Sequence, residues 1–256
     1  MAGSALLAAV APLRAAPHRT AVFTDFDGTL SLIVHEPAKA RPLPGAAEVL
    51  ADLAQTYARV GVVSGRPVAF LQPFFPPEVL LAGLYGLETV VDGERHDHPL
   101  SGVWREVVDD VAAHAAARGP EGMRIESKGL SLTLHYRGRP EREADVRAWA
   151  EQQAARSGLA LRSARMSYEL HPPIEVDKGS TVLELAEGLN AVVFLGDDLG
   201  DLPAFDALDQ LAAEGVATLR VGVRSPEGEP QLLERADFVV DGPRGALAVL
   251  EALAAP

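Results

Sequence analysis

Two carboxylates stand two residues apart at the end of a short apolar run. Asp25 and Asp27 follow Ala21-Val22-Phe23, and Gly28 comes directly behind them. Alternate residues of an extended segment point to the same side, so both carboxylates can serve one reacting atom. One would act as a nucleophile and the other as an acid and base, which predicts hydrolysis through an aspartyl-phosphate. We assign Gly28 to the phosphate-binding backbone of this turn.

Two further positions suit a phosphoryl group. A second strand-like run ends at Ser64-Gly65-Arg66. A hydroxyl and backbone N–H groups at a strand-to-helix turn can hold phosphate oxygens, so Ser64 and Gly65 are predicted to bind phosphate and Arg66 to contact the substrate. Lys178 precedes an apolar-periodic segment, and its ammonium can offset phosphoryl charge. Taken separately, Ser64 is typical of a helix N-cap and Lys178 of a solvated surface charge.

A second acidic group follows another apolar strand and consists of Asp197, Asp198 and Asp201. Packing these acids into one cleft with Asp25 and Asp27 would be strongly repulsive without a cation. A hard divalent ion with oxygen ligands resolves the repulsion, and Mg2+ bound by a few carboxylates and substrate phosphate is the natural choice. The five acids are therefore the predicted metal-site residues. Taken separately, the later three could be a capped helix start.

The four motifs, in this order, resemble those of the haloacid-dehalogenase-like phosphatases. An acid at the position of Asp27 is the pattern of phosphatases and phosphomutases in that superfamily. The resemblance implies that Asp25 attacks phosphorus while Asp27 donates a proton to the leaving oxygen and later takes one from water. It also implies that Mg2+ is held by Asp25, the Asp27 carbonyl and Asp197, with Asp198 and Asp201 acting through waters or outer contacts.

Composition excludes several classes of protein. The chain has 256 residues, 48% of them hydrophobic, with a net charge of −13 and no cysteine. No basic surplus exists to neutralise nucleic acid or an anionic membrane, so neither is an expected partner. The apolar stretch 4–11 is too short to span a bilayer and lacks a positive segment before it. We expect a docked or frayed helix there, and a cytoplasmic enzyme.

The elements that must position these residues alternate between strands and helices. Strand-like and helical runs alternate through about residue 90 and again after Lys178, which predicts an α/β fold with a doubly wound parallel sheet. Residues 101–173 show the order helix, strand, strand twice in succession, and they are predicted to form a small inserted α+β cap domain. The core would comprise 1–100 and 174–256. Ligands of such sheets bind at the carboxyl ends of strands, where the motifs fall.

The inserted segment carries a more specific resemblance. Glu126-Ser127-Lys128-Gly129, the run 134–137, the run 81–88 and the run 168–172 resemble trehalose-6-phosphate phosphatases. This implies trehalose 6-phosphate as substrate, sugar hydroxyl contacts from Glu126, Lys128 and Glu169, and closure of the cap over the sugar. It also implies trehalose-6-phosphate synthase as a pathway neighbour, with physical contact unknown. Outside the resemblance, Glu126 and Lys128 could be an exposed pair on a strand.

Four positions depart from the family pattern and leave substrate preference open. Tyr85 stands where a His is usual, Gly200 replaces a Thr, Leu202 replaces a Glu, and His171 sits at a commonly basic place. Two alternatives therefore remain. One is a phosphatase for another sugar phosphate, such as sucrose phosphate or a glucosyl- or mannosyl-glycerate phosphate. The other is a sugar-phosphate sensor without turnover.

Overall fold

The computed structural model describes residues 2–34, 36–164, 166–225 and 228–255. The chain forms two compact units, one made of Met1–His96 and Val176–Pro256 and the other of Asp97–Glu175. No helix within the described ranges has the length and apolar character needed to cross a bilayer.

An eight-stranded sheet organises the first unit. Its strands are β1 Thr20–Thr24, β2 Arg59–Val63, β3 Leu80–Gly83, β4 Glu88–Val91 and β5 Glu94–Asp97, then β10 Ala191–Gly196, β11 Ala217–Arg224 and β12 Phe238–Asp241, with β6 to β9 in the second unit. The spatial order is β12-β11-β10-β1-β2-β3-β4-β5. Pairing is parallel from β12 through β3, so the carboxyl ends of these strands meet at one edge.

Helices cover both faces of this sheet because its central strands are apolar on both sides. The helices are α1 Ala2–Arg14, α2 Ala46–Ala54, α3 Val68–Leu71, α6 Lys178–Leu185, α7 Leu202–Ala213, α8 Pro230–Arg235 and α9 Gly242–Ala254. Val22 of β1 packs in a cluster with residues of α2 and α9, whereas Ala21 and Phe23 pack with residues of α6 and α7. The predicted doubly wound α/β core is confirmed.

The N-terminal segment is a docked helix, one of the two predicted outcomes. Val10 and Leu13 of α1 are fully buried in the same core cluster as α2 and α9.

Two local elements differ from the predictions. Strand β4 pairs with β3 in the antiparallel sense, and β5 lies beside it across the turn Asp92-Gly93, whose residues have φ +52° and +78°. This extension was not predicted because its second strand is polar and exposed, although Asp-Gly is a known hairpin signal. Helix α8 was also not predicted. After Pro67 the chain is helical as far as Phe74, first as α3 and then as one 3-10 turn, Gln72–Phe74.

The second unit pairs two helices with a four-stranded sheet. Its elements are α4 Ser101–Arg118, β6 Arg124–Ser127, β7 Leu132–His135, α5 Glu143–Ser157, β8 Ala160–Ala164 and β9 Ser167–His171. The sheet order is β6-β7-β9-β8, and every pair is antiparallel. One apolar cluster joins both helices to the sheet face that bears Leu132, Leu134 and Leu170. The predicted order of helices and strands is confirmed.

Candidate active site

Asp25 lies at the carboxyl end of β1, in the middle of the parallel sheet. Its backbone N–H donates to the Leu195 carbonyl of β10 at 2.8 Å. This bond continues the ladder between the two strands by one residue, so Asp25 stands beside the start of the later acidic group. The side chain is buried, as expected for the tip of a strand that is covered on both faces.

Lys178 contacts Asp25 directly, although the two residues are far apart in the chain. It is the first residue of α6, whose N-terminus is capped by Asp177. Its Nζ lies 2.7 Å from Asp25 Oδ1 and 2.5 Å from Asp201 Oδ1, and the side chain is 4% exposed. The alternative of a solvated surface charge is therefore excluded.

Three carboxylates converge around this ammonium. Ligand atoms of Asp25, Asp197 and Asp201 all lie within 4.8 Å of one another. Asp201 is held in place by the backbone N–H groups of Asp197 and Asp198, which donate to its Oδ2 at 2.9 and 3.2 Å. Thr29, which the sequence analysis did not single out, donates to Asp197 Oδ1 at 3.3 Å.

Glycine is required at position 28, where the first acidic motif lies against Asp197 of the second. Its φ is +80°, and a Cβ at this position would lie 2.0 Å from Asp197 Oδ2. A left-handed backbone and this close approach both favour glycine. The predicted assignment of Gly28 to phosphate is not tested by this contact, which places the residue against Asp197.

The buried carboxylates of the cluster repel one another, which favours the binding of a cation or a proton. Burial, opposed by Lys178 and reinforced by Asp201 and Asp197, raises the pKa of Asp25 well above its ordinary value. Burial, together with Asp201 and Asp198, raises the pKa of Asp197 to about 8. Burial opposes the charge on Lys178, but Asp201 and Asp25 outweigh it and raise the pKa of the ammonium.

The donor set fits Mg2+. Three buried carboxylates face one buried ammonium, which leaves an excess negative charge when all are ionised. An all-oxygen set of this kind suits a hard divalent cation. Asp25 and Asp197 are the two members that could bind it most directly, because both oxygens of Asp201 accept hydrogen bonds from Lys178 and the backbone.

Two of the five predicted acids are arranged differently from the buried three. Asp198 is exposed, and its Oδ1 accepts from the Gly200 N–H at 2.8 Å. This is the helix-capping alternative for that residue, although its charge still raises the pKa of Asp25. Asp27 is paired with Arg66, whose Nε and Nη2 donate to its two oxygens at 2.6 and 2.8 Å. Arg66 also lies over the Phe70 ring, 4.5 Å from its centroid.

Ser64 lies at the end of β2, as predicted, and it does not cap a helix. The N-cap of α3 is Pro67. The buried Ser64 hydroxyl accepts from the Arg66 N–H at 3.2 Å, so the segment 64–66 curls around this side chain. Because β1 and β2 are neighbours in register, this segment and Asp25 lie at adjacent strand ends of the same sheet edge.

The predicted sugar-binding residues form a polar row in the second unit. Cross-strand register places Glu126 opposite Thr133, Thr133 opposite Glu169, and Glu169 opposite Arg162. Alternation along the strands puts these residues on the sheet face opposite Leu132 and Leu134. Sequence reasoning did not single out Thr133 or Arg162, although each directly follows a residue of the apolar face, Leu132 or Leu161, and must therefore point to the opposite face.

Each predicted sugar-binding residue has a partner within this unit. His135 Nε2 lies 2.8 Å from Glu126 Oε2. The buried Glu169 accepts from Ser131 Oγ at 2.7 Å and from Lys128 Nζ at 3.4 Å. Burial alone would raise the pKa of Glu169, but Lys128, Ser131 and Arg162 outweigh it and lower the pKa. Glu126 and Lys128 are thus not the exposed pair considered above.

A sequence model of one family, described as trehalose-phosphatase, matches residues 23–232. The chain belongs to the trehalose-phosphatase family. The match covers the core motifs and the whole of the second unit, including Glu126, Lys128 and Glu169. It confirms the resemblance that the motifs carry.

Curated relatives and solved structures agree with membership of the trehalose-phosphatase family. The chain is 34% identical over 248 residues to the trehalose-phosphate phosphatase of Mycobacterium bovis (strain BCG / Pasteur 1173P2), covering 92% of the chain and 58% of the relative. It is 33% identical over 212 residues to that of Mycobacterium leprae (strain TN), covering 77% of the chain and 49% of the relative. The chain thus spans about half the length of the curated relatives that it matches.

The fold of this family member is shared with solved structures. A trehalose-6-phosphate phosphatase related protein superimposes with a TM-score of 0.78 at 23% identity, covering 91% of this chain and 96% of that one. The C-terminal domain of C. albicans trehalose-6-phosphate phosphatase gives a TM-score of 0.74 at 24% identity, covering 98% of this chain and 96% of that one. At these identities the likeness shows the fold.

Proposed function

We propose that the chain is a Mg2+-dependent phosphomonoesterase that hydrolyses trehalose 6-phosphate to trehalose and phosphate. The observation that carries the proposal is the buried Asp25 carboxylate, held by Lys178 at 2.7 Å among two further buried carboxylates. Membership of the trehalose-phosphatase family supports the substrate. The synthase that supplies such a substrate stays a predicted pathway neighbour.

The first step is in-line attack of Asp25 on phosphorus. A new bond forms between a carboxylate oxygen and phosphorus while the bond to the sugar oxygen breaks, giving an aspartyl-phosphate and free sugar. Lys178 orients Asp25 through its contact with Oδ1 and offsets the negative charge that gathers there. The Ser64 hydroxyl and the backbone N–H group of Gly65 hold phosphoryl oxygens. The Gly28 N–H donates to the Ser31 carbonyl at 2.8 Å, so Gly28 shapes the turn beside them.

Asp27 moves the protons in both steps. It donates a proton to the departing sugar oxygen, then takes one from the water that hydrolyses the aspartyl-phosphate. The two contacts from Arg66 orient the Asp27 carboxyl group. When bound, Mg2+ would be held by Asp25, the Asp27 carbonyl and Asp197, with outer support from Asp198 and Asp201, and it would offset phosphoryl charge.

The polar row of the second unit supplies the groups for sugar recognition. Glu126, Lys128 and Glu169 would bind sugar hydroxyls, and a substrate that lacks the right hydroxyls would leave these charged groups unsatisfied. His135 and Ser131 orient two of the three. This arrangement favours a neutral polyol over an aryl or alkyl leaving group.

Phosphate release from trehalose 6-phosphate, measured with Mg2+ and with EDTA, tests the proposal. Wild type should be active only with Mg2+, and Asp25→Asn should release no phosphate while remaining folded, as judged by a cooperative unfolding transition. Asp52→Asn, which changes an exposed aspartate on α2, is the matched control and should match wild type. Activity of Asp25→Asn near the wild-type level would refute the nucleophile.

A panel of esters separates the substrate alternatives. Sucrose phosphate and glucosyl- and mannosyl-glycerate phosphates would be compared with trehalose 6-phosphate by kcat/KM. A higher value for one of them would replace the sugar assignment and leave the reaction type. Tight binding of trehalose 6-phosphate without released phosphate would instead identify a sensor.

A further inference from the structure

The turn Leu84–Gly86 has an unusual backbone. Its three residues have consecutive positive φ values of +49°, +64° and +113°. Two of them, Leu84 and Tyr85, are not glycine, and the backbone of a non-glycine residue rarely adopts this region unless the surrounding structure imposes it. The turn follows β3, and its neighbours in space are two segments of the proposed active site.

One side of the turn is bonded to the phosphate-binding segment. The Leu84 N–H donates to the Arg66 carbonyl, and the Tyr85 N–H donates to the Ser64 carbonyl, both at 2.9 Å. The Tyr85 ring lies against Gly65, where an added Cβ would come within 2.9 Å of the ring carbon Cζ and the hydroxyl oxygen. The turn therefore fixes the backbone of 64–66 at three points.

The other side of the turn is bonded to the helix that carries Lys178. Thr181 Oγ1 donates to the Tyr85 carbonyl at 2.7 Å. Thr181 is buried and lies one helical turn beyond Lys178 on α6. Gly86 makes this bond possible, since a Cβ there would lie 2.0 Å from Thr181 Oγ1.

We propose that the turn 84–86 is a positioning element of the active site, in which Thr181 holds the Lys178 helix at a fixed spacing from the Ser64 segment. This inference rests on the proposed function, because Lys178 and Ser64 are its phosphoryl-binding groups. The two groups lie on separate elements, and the strained turn bridges them, with the Thr181 hydrogen bond on the helix side. Loss of that bond lets Lys178 shift relative to Ser64.

Misplacement of these groups acts on the transition state more than on the bound ester. Both are aimed at charge that gathers as the phosphoryl group transfers, so their spacing bears on kcat. A displacement of the order of 1 Å can cost roughly 100-fold in rate. Tyr85 and Thr181 are positioning residues in this scheme, since neither is assigned a contact with substrate.

The test compares Thr181→Val, Thr181→Ser and Thr20→Val in the full chain. Thr20 is the matched control: it is buried at the opposite end of β1 and also donates to backbone carbonyls, at 2.9 and 3.0 Å. The measurements are kcat and KM for p-nitrophenyl phosphate, the inhibition constant of orthovanadate as a phosphoryl transition-state mimic, and the thermal unfolding midpoint.

We expect Thr181→Val to lower kcat by about 10- to 100-fold and to weaken vanadate inhibition by a similar factor, with KM changed by less than about threefold. Thr181→Ser should restore both values, because it keeps the hydroxyl. Thr20→Val should lower the unfolding midpoint and leave kcat and vanadate inhibition as in wild type. Equal losses of stability in both valine variants, with wild-type kcat and vanadate inhibition in Thr181→Val, would overturn the proposal.

A second variant covers the case in which Thr181→Val does not fold. Thr181→Ala also removes the hydroxyl that donates to the Tyr85 carbonyl but puts no methyl group in its place, so it should fold and yet show weaker vanadate inhibition; inhibition equal to wild type would overturn the proposal. Wild type that hydrolyses p-nitrophenyl phosphate but not trehalose 6-phosphate would refute the sugar assignment alone. Wild type that hydrolyses neither the aryl ester nor trehalose 6-phosphate, and does not bind vanadate, would overturn both proposals.

Discussion

Gly28→Ala should separate metal binding from backbone strain. The added Cβ would begin 2.0 Å from Asp197 Oδ2, whereas ordinary contact starts at 3.4 Å, so the Asp197 carboxylate must retreat by about 1.4 Å. Metal ligands tolerate roughly 0.2 Å. Loss of a group that only supports a metal ligand lowers metal affinity by up to about 100-fold. Displacement of the ligand itself should lower the Mg2+ affinity by at least that factor.

Gly188→Ala is the matched control for this change. Gly188 has φ +77°, close to the +80° of Gly28, and a Cβ there would meet nothing within 4 Å. Both variants therefore carry the same left-handed penalty of about 1–2 kcal/mol. Only Gly28→Ala disturbs Asp197.

Urea unfolding with and without Mg2+ measures the difference. At a Mg2+ concentration about 100 times the wild-type Kd, bound metal should add about 2.7 kcal/mol to the free energy of unfolding of wild type and of Gly188→Ala. A 100-fold weaker site would gain only about 0.4 kcal/mol at the same concentration. A Gly28→Ala variant that keeps the wild-type gain would refute the assignment of Asp197 to the metal site.

Two further predictions concern buried charges. Lys178→Met should lower the free energy of unfolding in EDTA by about 3–5 kcal/mol, because it removes the buried partner of two carboxylates. The control is Lys39→Met, which changes an exposed pair with Glu36 and should cost less than about 1 kcal/mol. Equal effects of the two substitutions would contradict the prediction. Glu169 has a pKa lowered from 4.5 in the folded chain, so its charge adds stability that is present above that pH and lost as pH falls through the folded pKa. Glu169→Gln should therefore be less stable than wild type at neutral pH. In urea titrations, the difference in free energy of unfolding between the two proteins should narrow below pH 4.5. A difference that does not change with pH would contradict the prediction.

The fold and the meeting of the motifs could be predicted from sequence. Asp25, Ser64 and Asp197 each follow an apolar strand, and the carboxyl ends of parallel strands share one edge. Hydrophobic periodicity is a local property, so it could also predict most helices and the repeated helix-strand-strand order of residues 101–173. The β4–β5 extension was missed because a polar edge strand carries no such pattern.

The order of strands and motifs along the chain is enough to predict which residue types reach the same sheet edge. The packed fold is needed to show that Asp201 is buried against Lys178 while Asp198 faces solvent, and that Arg66 pairs with Asp27, 39 residues away. The left-handed backbone of Tyr85 and its hydrogen bond from Thr181, 96 residues away, are also features that only the folded structure shows. These arrangements depend on side-chain direction and on contacts between distant segments, and the spacing of residues along the chain predicts neither.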